Sequence, residues 1–456
     1  MLRLQSRDFR QLSMVDMLLP DELAELPEDL AKMDAWLDDD RFFEPFRDRY
    51  DTLMGRPSVA AETYLRIMAL KQQYSLSDRQ VCEMVKDRIS WRRFCRVPWS
   101  GSVPHPSSLS KIRKRLDANG GDHMAELNRR LVQSACERGL VKARKLRVDT
   151  TVVEANMHYP TDASLMADGV RVITRLVKRV EALGVSCGTG FRDRGRSVKR
   201  RLLGISKVLR RRTGEAWKQV RRITAQIADL AEKTTRAADM VLTTARGSCV
   251  KKVRYLARKI EEVKSRTEQV IRQARQVNAG NLHLEHRLVS IFEPDARAIR
   301  KGKAHRHTEF GYKVRLSETE DRVITEYSVF KGNPGDEGML IEAVERHSMC
   351  VGRKPWGVAT DRGFSSRRNE QSIQQMGVIR VSVPCRGKRS ESRTQHERQR
   401  WFRRLQRWRA GQEATISVLK RRYGMARSLY LGKAGCQRWV GGAIWGYNLW
   451  RIAQLT

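Results

Sequence analysis

Apolar positions change their period several times along the chain, and each change predicts a different element. In residues 58–95 they recur at three- and four-residue steps, with Leu65, Met68 and Ala69 on one stripe, which predicts helices. Ser77 followed by Gln80 forms a capping-box start, while Trp91 and Phe94 offer anchors for a small core. Another helix is expected from Ser108, in SSLSKIRKRL. KLRVDTTVVEAN, residues 145–156, then alternates and is rich in Val and Thr, the pattern of a strand, with Asp149 near its middle. The helical period returns in residues 164–277. There Val220, Ile223, Ile227 and Leu230, and again Val253, Leu256, Ile260 and Val263, predict two long amphipathic helices packed as a hairpin.

Strands resume in GYKVRLSE (311–318) and RVITEYSVF (322–330), separated by a short acidic turn and expected to pair as a hairpin. NPGDEGMLIEAVERH turns into a helix near Asp336. WGVATDRGF (356–364) is a strand with Asp361 at its carboxyl end, the region of Gln371 is helical, and VIRVSVP (378–384) is the last strand. Residues 400–424, RWFRRLQRWRAGQEATISVLKRRYG, read as one helix carrying a single carboxylate, Glu413. Arg409 lies four positions before it and Lys420 seven after, so helical geometry puts all three on one face. Taken alone, that face is a solvated set of ion pairs. The closing WVGGAIWGYNLWRIAQL is aromatic and apolar at helical spacing, the mark of core packing.

This order of elements matches an α/β fold of RNase H-like type: a mixed sheet core, an all-helical N-terminal domain and a long helical insertion after the first core strand. An Asp inside a strand needs a reason, because burial of a carboxylate is costly unless it is paired or bound to metal. In an RNase H-like core Asp149, Asp361 and Glu413 meet at one end of the sheet. Three converging carboxylates repel one another unless a cation joins them. Two magnesium ions, with manganese as the alternative, would suit an all-oxygen ligand set and support attack on a phosphodiester.

Charge changes the picture further. The chain holds 90 Lys and Arg against 52 Asp and Glu, a formal +38, which favours a polyanionic partner, nucleic acid ahead of membrane. No apolar run is long enough to span a bilayer and the first residues lack a secretory core, so a cytoplasmic, nucleoid-associated protein is expected. Eight scattered cysteines with no C-x-x-C pair indicate neither a thiolate zinc site nor a disulfide frame. Residues 1–57 run against the trend, with 14 acidic and 8 basic residues, and should pack against a basic surface or a second subunit instead of DNA. Lys111, Arg113, Lys114 and Arg115 crowd two turns of one helix, which suits a helix-turn-helix-like DNA-binding unit or a helical bundle with a charged face. Residues 191–276 hold 25 basic and 8 acidic residues, suggesting sequence-independent contact with a nucleic-acid backbone. His305 and His307 beside Lys303 read as a surface or phosphate-contacting pair.

The chain resembles the DDE-type transposases of bacterial insertion sequences. The likeness is carried by VDTTVVEANMHYPTDASLMADG around Asp149, AIRKGKAHRHTEFGYKV, the GNPGDE turn, ATDRGFSS around Asp361 and RAGQEATISVLKRRYGMARSLYLG around Glu413. GRPSVAAETYLRIMALKQQYSLSDRQ is similar to the amino-terminal helical domain of that family. The resemblance implies metal-dependent cleavage and transfer of double-stranded DNA at terminal inverted repeats, by a homo-oligomer of at least two subunits on paired ends. It implies that Asp149, Asp361 and Glu413 are the catalytic, metal-binding acids. Arg409 and Lys420 match the basic positions of the family's tyrosine-arginine-glutamate-lysine signature, whereas the tyrosine position holds Gln406 and Ala414 follows Glu413 where glycine is common. Expected domains are an acidic segment 1–57, a helical DNA-binding domain 58–140, a catalytic core in two parts, 141–163 and 286–456, and a basic helical insertion 164–285. A structure-specific nuclease and an inactive DNA-binding scaffold are the alternatives; strand joining separates the first from a transposase, and metal-independence would mark the second.

Overall fold

The computed structural model describes residues 1–4, 14, 20, 22, 25–185, 191–211, 213–300 and 308–456. Its contacts divide the chain into two compact units, one formed by Met1–Glu154 with Tyr312–Thr456 and the other by Ala155–Gly311. The expected insertion, 164–285, lies wholly in the second unit, which also takes in the residues on either side of it.

The first unit begins with α1 (Glu28–Leu37), α2 (Ala61–Gln73), α3 (Asp78–Asp87), α4 (Ile89–Phe94), α5 (Pro106–Leu116) and α6 (His123–Glu137). The Ser77–Gln80 capping box starts α3 as the sequence predicts, with both reciprocal bonds made. All 13 residues of α2 are buried, so its polar side chains need partners inside the protein. Arg66 finds Asp34 at 2.6 Å and Asp38 at 2.7 Å, Glu62 accepts from Arg96 at 2.9 Å, and Lys71 faces Asp78 at 2.7 Å. Asp34 and Asp38 belong to the acidic first segment, whose charge is thus turned onto arginines of its own chain. The last helix, α16 (Gly432–Ala453), packs on α1, α2 and α6, and its Trp445, Leu449 and Ile452 join Tyr64, Leu65 and Leu131 in one apolar core.

The sheet of this unit contains β1 (Lys145–Ala155), β3 (Glu309–Thr319), β4 (Ile324–Phe330), β5 (Gly357–Thr360), β6 (Arg380–Ser382) and β7 (Arg427–Ser428). Strand β4 pairs antiparallel with β3, which neighbours β1; β5 lies parallel to β1, and β6 parallel to β5. The expected hairpin of β3 and β4 is present, its acidic turn tied down by Glu320 and Asp321, which accept backbone N–H bonds from Arg144, Lys145 and Lys142. Leu146 and Val148 of β1 enter an apolar layer with Val358, Val381 and residues of α11 (Leu340–Val351) and α12 (Arg367–Gln375). Strand alternation sends Arg147 and Asp149 to the opposite face.

His347 of α11 is fully buried, with Nδ1 2.8 Å from the Thr325 hydroxyl. Burial pushes its pKa down from 6.5 to about 4. The imidazole is therefore neutral in the fold, and its contribution to stability is complete above the unfolded value and lost as pH falls toward 4. Wild-type protein should lose about 3 kcal/mol more than His347→Gln between pH 7 and pH 4, the linkage value of such a shift. Urea midpoints at the two pH values measure this, and parallel behaviour of the two proteins would contradict it.

The second unit is a bundle of α7 (Asp162–Glu181), α8 (Gly195–Leu209), α9 (Gly214–Arg246) and α10 (Lys251–Asn278), followed by β2 (Arg297–Ile299), which pairs with the first residues of β3. The predicted long hairpin is α9 with α10: Ile227, Val253 and Ile260 are fully buried between them and α7. Helices α7 and α8 complete an apolar core through Val170, Ile173, Val177 and Val198.

Candidate active site

The site grows from the pairing of β1 with β5. These strands run parallel with Val148 opposite Thr360, so the next residues, Asp149 and Asp361, follow on neighbouring strands at the point where β5 ends and β1 continues. Neighbouring strands lie about 4.8 Å apart. Asp361 also caps the turn that follows it, accepting the Gly363 N–H at 2.9 Å, and Asp149 accepts the Thr150 N–H at 2.7 Å.

Across this face lie α14 (Arg400–Ala410) and α15 (Gln412–Arg422). The single helix expected over 400–424 is interrupted at Gly411, and the cause is a side chain from the sheet. Arg147 of β1 forms a two-point ion pair with Glu318 of β3, at 3.1 and 2.7 Å, and its remaining Nη1 donates to the Trp408 carbonyl at 2.7 Å. A Cβ at position 411 would stand 2.8 Å from that Nη1, so any other residue there would have to displace the guanidinium. Glu318 is further held by the Thr415 hydroxyl at 2.7 Å, and Gln412 donates to the Leu316 carbonyl at 3.1 Å, which docks the start of α15 on β3.

This break separates Arg409 from Glu413. Arg409 ends α14 with Nη1 3.6 Å from Asp149 Oδ2, pairing with the strand aspartate, while Glu413 is exposed in the first turn of α15. Lys420 lies in the last turn of α15, half-buried. Gln406, at the signature's tyrosine position, faces the sheet: its Nε2 reaches the carbonyls of Thr360 at 3.2 Å and Ser382 at 2.8 Å, pinning α14 across the ends of β5 and β6. Among the described residues no group of three or more His, Cys, Asp and Glu stands close enough to hold a metal ion. Asp149 and Asp361 follow paired positions of β1 and β5, and Glu413 lies in the first turn of α15. Their oxygen donors fit a hard divalent cation such as magnesium. His305 and His307 lie outside the described residues.

Asp336 escaped the sequence reading. Lys313, almost wholly buried, places Nζ 2.6 Å from Asp336 Oδ1 and donates to the Pro334 carbonyl at 2.7 Å, fixing the GNPGDE turn. Asp336 Oδ2 would be only 2.8 Å from a Cβ on Gly363, so the turn sits against the Asp361 loop, beside a cleft lined also by Asn333, Arg362 and Arg386. The signal in the sequence was the GNPGDE block itself.

Of the basic residues proposed for DNA contact on α5, Lys111, Lys114 and Arg115 are exposed, and Arg115 lies over the Tyr50 ring at 4.7 Å. Arg113 is not available: it is buried, bonded to Asp78 at 3.1 Å and stacked on Tyr430 at 5.2 Å. Position 113 falls on the inward stripe with Leu109, Ile112 and Leu116, a helical spacing that foretold its burial.

Residues 20–115, the span of α1 to α5, match the model of a transposase domain family (DUF772). Among curated proteins the chain is similar to "Uncharacterized protein ORF8 in nfe locus" of Rhizobium meliloti, at 29% identity over 144 residues, 30% of this chain and 68% of that protein. No solved structure matches the chain. Among the described residues no helix is long and apolar enough to cross a membrane. The helical half of the first unit therefore carries the match to a transposase domain, and that match supports a transposase function in general terms.

Proposed function

We propose that the protein is a DDE-type transposase with an RNase H-like core, which cuts and joins DNA strands at the terminal inverted repeats of an insertion sequence. The observation that carries this reading is the register of β1 with β5, in which Val148 pairs with Thr360 immediately before Asp149 and Asp361. The reading is supported by a sheet in which β4 pairs with β3, β3 neighbours β1, and β5 and β6 lie parallel beyond, and the transposase-domain match over residues 20–115 supports a transposase in general terms.

Asp149, Asp361 and Glu413 would hold magnesium, which when bound activates a water or a 3′-hydroxyl for in-line attack and stabilises the leaving oxygen. Arg409 neutralises Asp149 and is placed to turn toward a DNA phosphate. Gln406 and the Arg147–Glu318 pair hold the two helices so that these groups face the strand ends. Lys111, Lys114, Arg115 and Lys420 are the further DNA contacts, and paired ends call for at least a dimer.

Purified protein with magnesium should nick DNA carrying its element's ends and join those ends to a target plasmid, while the same mixture with chelator should do neither. Cleavage without joining would reassign the protein as a nuclease. Identical products with chelator would refute metal-dependent chemistry.

A further inference from the structure

The inserted unit contains a cleft of about 870 Å³ between α7 and α8. Six cations line it, Arg171, Arg175, Lys178 and Arg179 from α7 with Arg196 and Lys199 from α8, against two carboxylates, Asp168 and Asp193. Those carboxylates are engaged, Asp168 by Arg171 at 2.6 Å and Asp193 by Lys178 at 2.7 Å. Arg175, Arg179, Arg196 and Lys199 are exposed, and among the described residues none has a carboxylate within ion-pairing distance. On the long hairpin some cations are ion-paired: Arg246, Lys264 and Arg275 face Glu261, Glu268 and Glu232.

The arrangement is a row and not a point. Arg171, Arg175 and Arg179 stand four residues apart on one face of α7, which spaces them about 6 Å along the helix axis. Arg196 and Lys199 form the opposite wall, and Ala167, Val198 and Leu202 supply an apolar floor. Like charges held in a line repel one another and are best satisfied together by an anion whose charges are also in a line. A nucleic-acid backbone has that form; a single phosphate would meet one or two of them.

We propose that the α7–α8 cleft binds a nucleic-acid backbone without regard to sequence, a role that rests on the reading of the protein as one acting on DNA and locates a contact away from the carboxylates. The test uses the full chain, no metal and a fluorescent duplex of unrelated sequence, with affinity measured over a range of salt concentrations. Arg175→Ala/Arg179→Ala/Arg196→Ala should lower the slope of log affinity against log salt by roughly 2–3, since each lost phosphate contact removes about 0.9. The same positions changed to lysine should keep the slope. Arg221→Ala/Arg222→Ala/Lys233→Ala, which removes equal charge from α9, should also keep it. An unchanged slope in the cleft variant with an unchanged melting curve, or equal losses in both alanine variants, overturns the proposal. So does displacement of the duplex by submillimolar mononucleotide, which would make this a small-anion site. Because the assay needs no strand cleavage, failure of the transposase chemistry and failure of this inference give different results.

Discussion

Asp361→Asn should abolish strand cleavage while leaving DNA binding intact. The substitution keeps the size of the side chain and an oxygen able to accept the Gly363 N–H, so the cap on the following turn survives. What it removes is one of the two negative charges that directly follow the pairing of Val148 with Thr360. If those charges hold the cation on which cleavage depends, the rate with magnesium should fall by about 10³-fold or more, roughly 4 kcal/mol of barrier. Affinity for end DNA in chelator should stay within about twofold, because sequence-independent binding arises from cations elsewhere. Quantified nicking and anisotropy titrations on the same preparation decide the matter. A variant that cuts within tenfold of wild type would remove Asp361 from the active site and the DDE assignment with it.

The second large effect is on folding. Glu318→Leu leaves the Arg147 guanidinium without its carboxylate in a place where the two side chains are 1% and 3% exposed. Stranding a buried charge costs about 3–5 kcal/mol, a large part of a domain's whole stability. The urea midpoint should fall accordingly. Arg147→Met combined with Glu318→Leu should recover most of that loss, since an apolar pair replaces a buried ion pair at little cost. The double variant should nonetheless cleave DNA poorly, because the Trp408 carbonyl loses its tether and α14 keeps, among the described residues, only the Arg409–Asp149 pair as a polar link to β1. A single variant as stable as wild type would show that the pair does not hold these elements together.

Much of this architecture was legible from local pattern. Alternation identified β1 and the β3–β4 hairpin, and the position of Asp361 after the run Gly357–Thr360 follows from a short apolar strand stopping at a charge. Serine and glutamine three apart located the start of α3. The break at Gly411 was not legible, because its cause is Arg147, a residue more than 260 positions earlier that enters from the sheet. For the same reason Arg409 seemed to belong with Glu413, its neighbour on an ideal helix, when tertiary contact gives it Asp149. Arg113 was misread for the opposite reason: its helical spacing with Leu109, Ile112 and Leu116 was visible, but the surrounding cluster of charge drew the eye. Helix α2 is buried all round, so amphipathic periodicity could not reveal that Arg66 and Lys71 look inward.

The seat of α16 against α2 has a consequence for how the chain is made. Residues 20–115 match a transposase-domain family model, yet the surface of α2 is closed by Trp445 and Leu449, which are synthesised more than 380 residues after Ala61. At elongation rates of about 5–20 residues per second that gap lasts about 20–80 s, during which a helix destined for full burial waits without its cover. The packing of α2 is therefore completed only after the sheet between has been made, and loss of α16 would damage a helix made long before it.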